Sequence, residues 1–143
     1  MQSSNSTRKY KISKSGLGHH EPNPLYQSSQ EAPNMTVNTP KIFNQLKPTD
    51  TTNVTVMYTV PAGKKAQVTL FVCNQDSPVE FFRIAVVPVA ATVTAARYIA
   101  YDTVLTGNGV FSVTGIGLDS GESLWVKSSF GNLSFTATGI EWS

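Results

Sequence analysis

From residue 54 onward, apolar and polar positions alternate with a period of two. In Val54-Thr55-Val56-Met57-Tyr58-Thr59-Val60 the apolar side chains fall at 54, 56, 58 and 60, and two of the three residues between them are Thr. That is the signature of a strand with one buried face. Pro61-Ala62-Gly63-Lys64 interrupts the run, which resumes over Ala66–Cys73 and stops at the turn formers Asn74-Gln75-Asp76-Ser77-Pro78. The two runs read as a hairpin, with Gly63 supplying the reversal through a positive φ. Further strands are predicted at Val79–Val87, Arg97–Val104, Val110–Thr114, Ser123–Ser128 and Leu133–Thr138, separated by Thr106-Gly107-Asn108-Gly109, Asp119-Ser120-Gly121 and Phe130-Gly131-Asn132. Gly115-Ile116-Gly117 reads as loop punctuation, and no stretch carries a helical stripe. Seven short strands with turn signals between them predict an all-β fold, a single antiparallel β-sandwich of immunoglobulin-like or jelly-roll topology over residues 49–143.

Residues 1–48 follow different rules. They hold five of the eight prolines and many Ser, Asn and Gln, and their large apolar residues show no sustained period. A segment of this composition buries too little surface to offset its own ordering entropy, which predicts a long extended N-terminal arm. Six basic and two acidic residues within 1–49 give +4, whereas five basic and seven acidic residues over 50–143 give −2. A basic arm thus precedes a mildly acidic body. Arg8, Lys9, Tyr10, Lys11 and Lys14 form its basic stretch, and Leu17, Leu25, Tyr26, Ile42 and Phe43 are apolar anchors spaced for separate shallow pockets on a partner.

The chain has 143 residues, one domain's worth, with 14% charged residues against the ~25% usual for soluble domains. A net charge of +2 is too weak to make nucleic acid the expected partner. The single cysteine excludes an internal disulfide, a Cys-rich zinc site and a CxxC redox motif. No apolar run approaches the ~20 residues of a membrane span, and the N-terminus lacks the apolar stretch of a signal peptide, so neither a membrane nor export is expected. His19-His20 point in opposite directions in an extended chain and have no further His to complete a metal set. Cys73 lacks a partner base, and Asp119-Ser120-Gly121-Glu122 has turn chemistry rather than spaced calcium ligands. Neither a catalytic set, a metal nor a cofactor is expected.

The informative side chains point away from the core. If Val68, Leu70 and Val72 face inward, Phe71 faces out; the same alternation turns Trp125 outward. Of the adjacent pair Phe81 and Phe82, one must leave the core. These residues predict an outer aromatic face that either the arm or a loop covers or another subunit contacts.

KIFNQLKPTDTTNVTVMYTVPAGKKAQVTLFVCNQ, with FFRIAVVP, RYIAYDTVL, LDSGESLWVKSS and a final LSFTATGIE, resembles a family of small structural proteins of tailed bacteriophages, notably marine and cyanobacterial phages. The similarity runs from Lys41 to Glu141. It implies a β-sandwich virion component without enzymatic activity, assembled in the host cytoplasm and partnered by capsid or tail subunits and by copies of itself. A capsid decoration or cement role anchored by the arm is the leading expectation, and a tail, neck or baseplate accessory is the alternative. A third reading, from the residues alone, is a host-glycan-binding module with Trp125, Tyr98 or Tyr101 as stacking platforms.

Overall fold

The computed structural model describes residues 38–143. Eight strands are present: β1 (Thr39–Leu46), β2 (Thr55–Thr59), β3 (Lys65–Asn74), β4 (Glu80–Val87), β5 (Tyr98–Leu105), β6 (Val110–Leu118), β7 (Ser123–Ser128) and β8 (Leu133–Trp142). They form two four-stranded sheets, ordered β1-β8-β3-β6 and β2-β7-β4-β5, with every pairing antiparallel. Strand 1 pairs with 8, 2 with 7, 3 with 6 and 4 with 5, the pattern of one long hairpin rolled up on itself. Of the two topologies open from the sequence, this is the jelly roll.

The core lies between the sheets. Val68, Leu70 and Val72 of β3 face Ile84 of β4, Leu124 and Val126 of β7 and Met57 of β2 across the sandwich, with Leu133, Phe135 and Ala137 of β8 beside them, all at most 2% exposed. Each large apolar side chain so buried contributes roughly 1.5–3 kcal/mol. The inward positions of β3, β7 and β8 are those the alternation predicts.

Four expectations need correction. The runs around Gly63 are not a hairpin. Pro61–Lys64 does close a turn, with Lys64 N–H donating to the Pro61 carbonyl at 3.1 Å and Gly63 at φ +74°, but it carries the chain from one sheet to the other. In β2 a register shift between Val56 and Tyr58 makes Met57 an extra residue, so Val56 turns outward beside Trp125 and Met57 enters the core, while Val60 is buried as the alternation predicts. The sandwich begins before residue 49: β1 pairs with β8 over Thr39–Leu46, which takes Ile42 and Phe43 out of the arm. Finally, Gly115-Ile116-Gly117 is part of β6 rather than a loop. Gly115, at φ +75°, takes up the register shift opposite Val68–Leu70, and Ile116 is buried.

Two buried polar side chains tie the strand ends together. Asn74 donates to the carbonyls of Pro78 (2.9 Å), Leu105 and Thr106 (both 3.2 Å) and accepts from Asp76 N–H (3.0 Å). It thereby joins the β3–β4 and β5–β6 turns. Glu80 Oε1 accepts from the Ser128 hydroxyl and from the backbone N–H groups of Phe130 (2.8 Å) and Asn132 (3.3 Å), fixing the β7–β8 turn. Removing such an acceptor strands three donors, two of them on the backbone. Glu80→Ala is expected to cost about 3 kcal/mol in urea denaturation, and Glu80→Gln, which keeps an acceptor oxygen, clearly less.

Candidate functional site

Arg8, Lys9, Tyr10, Lys11, Lys14, Leu17, Leu25 and Tyr26 lie outside the described residues. Ile42 stands 62% exposed on β1. Phe43 is not a free anchor, because it occupies the β1 register shift and packs against the core. Its ring stacks on Tyr58 of the facing sheet, with centroids 4.4 Å apart. The Tyr58 hydroxyl donates to Glu141 Oε2 at 2.6 Å, and Lys41 Nζ reaches the same oxygen at 2.9 Å. Burial, reinforced by Glu141, pushes the Tyr58 phenol well above its usual range, while the Tyr58 and Lys41 donors hold Glu141 below its ordinary 4.5. This group clamps one edge of the sandwich.

Phe71 and Trp125 point outward as expected, and so does Phe81, but the three do not share a face. Phe71 sits on the outer side of β1-β8-β3-β6, and Phe81 and Trp125 on the outer side of β2-β7-β4-β5. Phe81 is 39% exposed and Phe82 is in the core, which settles which of the pair leaves it.

Around Phe71 (41% exposed) the register sets Thr136 and Ser112 on either side, with Thr69 opposite Thr138 in the row before it and Cys73 between Ser134 and Val110 in the row after it. The central rows of this face carry hydroxyl and apolar groups and no charge.

The opposite face is built around Arg83. β5 carries one extra residue between its partners for Phe82 and Ile84, and Asp102 there takes φ +45°. The bulge brings both Tyr101 and Asp102 to the outward-pointing Arg83 of the neighbouring strand. Arg83 Nε and Nη2 donate to the two Asp102 oxygens at 2.6 and 2.8 Å, and its guanidinium lies 3.9 Å from the Tyr101 ring centroid. Tyr98 packs edge-on to Tyr101 at 5.0 Å. The fork of hydrogen bonds raises the Arg83 pKa still further and draws Asp102 below the usual carboxylate range. Beside this pair lies a shallow depression of about 380 Å³ lined by Thr51, Phe81, Arg83, Asp102, Lys127 and Ser129.

The three aromatics proposed as platforms from sequence differ in freedom, with Tyr101 the most open at 57% exposed and Tyr98 and Trp125 only partly exposed. Trp125 is half-buried with its indole N–H donated to Ser123 Oγ at 2.7 Å, and one face of Tyr101 is covered by Arg83. Among the described residues no three His, Cys, Asp or Glu side chains group as metal ligands, and no helix is long and apolar enough to cross a membrane.

Tyr58→Phe tests the edge clamp. Because the folded pKa of Glu141 is depressed, its contribution is complete above about 4.5 and is lost as pH falls through the folded value. The variant is expected to lose about 1.5 kcal/mol at neutral pH and distinctly less in acid, once Glu141 is protonated, by urea denaturation across pH. The chain matches no protein-family model and no curated protein.

Proposed function

We propose that this chain is a non-enzymatic structural protein of a phage virion, a jelly roll that docks on capsid or tail subunits, with capsid decoration as the leading role. The observation that carries the reading is the uncharged group of central rows around Phe71 on the outer face of β1-β8-β3-β6, where Thr69, Ser112, Thr136 and Thr138 surround it. Depletion of charge around an aromatic marks the centre of protein interfaces, whereas a free surface is normally charged. The sequence resemblance over Lys41–Glu141 supplies the partner class. Jelly rolls also serve as viral capsid domains, an analogy of fold that adds weight without fixing function.

In this reading the basic arm adds a second tether ahead of β1. The tail, neck or baseplate role rests on the same face and differs only in the partner subunit.

Phe71→Ser in the full chain is expected to leave the thermal melt nearly unchanged and to weaken co-sedimentation with virions about 30-fold, the equivalent of an interface aromatic worth ~2 kcal/mol. Trp125→Ser reports on the opposite face and is expected to have the smaller effect. Removing residues 1–35, which leaves all eight strands intact, is expected to lower occupancy further. Full occupancy by Phe71→Ser protein sinks the docking face, and full occupancy by the truncated chain sinks the arm as tether.

A further inference from the structure

The depression beside Arg83 is independent of the Phe71 face and lies on the other sheet. Its volume of about 380 Å³ sits at the lower end of the ~300–1,000 Å³ of small-molecule sites. Three features of its lining define a ligand. Phe81 offers an aromatic ring at its wall, 39% exposed although its neighbour Phe82 is fully buried. Arg83 and Asp102 form a planar pair in which the Asp102 side chain remains half exposed, so that acceptor lone pairs and unused guanidinium N–H donors stand side by side. Ser129 accepts from Phe81 N–H at 3.0 Å, which leaves its hydroxyl hydrogen free to donate, and Thr51 and Lys127 add a hydroxyl and an ammonium.

Charge decides the class. Arg83 and Lys127 lie directly opposite each other across β4 and β7, a juxtaposition of like charges that Asp102 offsets. Asp102 and Asp50 both feel the Lys127 charge and are both held in the ionised form, Asp50 chiefly by the Asn53 backbone N–H and Asp102 chiefly by Arg83. The lining itself holds two cations and one carboxylate, and Asp50, next in the chain to the lining residue Thr51 and within reach of Lys127, brings the surroundings close to neutral, so a free ion gains little from entering. A ligand suited to this lining is uncharged, carries adjacent hydroxyls that both donate and accept, and has one apolar C–H face to lie on a ring.

The geometry points to a neutral saccharide site here, in which a pyranose ring rests on Phe81 and a vicinal diol spans Asp102 and Arg83, one hydroxyl donating to the carboxylate and the other accepting from the guanidinium. Lys127 and Ser129 take the outer hydroxyls. The site differs from the Trp125, Tyr98 and Tyr101 platforms suggested by sequence, since Tyr101 here holds Arg83 in place and need not touch the sugar.

The test is calorimetric titration of the full chain with neutral glucose-, galactose- and mannose-terminated disaccharides, with a uronic-acid disaccharide and an acidic peptide as comparisons. At least one neutral sugar is expected to bind at millimolar strength or better, nearly independently of salt. Phe81→Ala and Asp102→Asn are each expected to weaken it about tenfold. Asn tolerates the positive φ of residue 102, so the second variant keeps the bulge, and an unchanged thermal melt checks both. Phe71→Ser, on the other sheet, is expected to bind the sugar normally, which separates this site from the docking face. No binding of any neutral sugar up to about 10 mM overturns the proposal. Undiminished binding by folded Asp102→Asn and Phe81→Ala does the same, as does a salt-sensitive preference for the acidic disaccharide or peptide.

Discussion

The antiparallel pairing of β3 with β8 runs without a break from Lys65 opposite Trp142 to Asn74 opposite Leu133, and nearly everything else is attached to it. It places Val68, Leu70 and Val72 beside Leu133, Phe135 and Ala137 as one apolar sheet face, against which β7 and β4 close. Because side chains alternate along a strand, the same register that fills the core also lays Thr69, Phe71 and Cys73 beside Thr138, Thr136 and Ser134 on the outside. The uncharged outer face is thus inseparable from the core: a slip of one residue would exchange the two.

Departures from regular pairing supply the rest of the chemistry. Four strand pairs shift register, and three of the shifts re-aim large side chains: Phe43 turned onto Tyr58 in β1, Met57 pushed into the core in β2, and Tyr101 with Asp102 gathered on Arg83 in β5; the fourth is absorbed by Gly115 in β6. An extra residue re-aims side chains that a flat ladder would send elsewhere. The two outer faces consequently differ, one with an unbroken β3–β8 ladder and uncharged rows at its centre, the other bearing an ion pair with an aromatic shelf.

What the sequence discloses follows the same division. Strands β3, β7 and β8 have strict alternation bounded by turn residues, and their inward and outward sides are readable directly. β1 is not, because TPKIFNQL buries little of its own surface, contains a proline and a lysine, and owes its place to pairing with β8 rather than to hydrophobic pattern. In β2 the apolar residues suggest a phase that the bulge at Met57 breaks, exchanging Val56 and Met57 while Val60 stays inward, and nothing local announces a bulge. Phe81, Arg83 and Asp102 were each visible as residues, but Arg83 and Asp102 are nineteen positions apart and meet only through the β4–β5 register. Glu80 and Asn74 sit at strand ends among turn formers, where a polar residue gives no sign that it is buried.

The strand order also governs how the chain can be made. β8 is the last of the eight strands to emerge during synthesis, yet it lies inside its sheet, between β1 and β3. Until it arrives, β1 has no partner in that sheet and β3 is paired on only one side. Contacts of such wide sequence separation make folding slow, and the nascent chain must carry unpaired edges and exposed Val and Leu faces until β8 emerges. A chain that stops before residue 133 therefore holds all four strands of β2-β7-β4-β5 but lacks the strand that joins β1 to β3, and its other sheet stays divided.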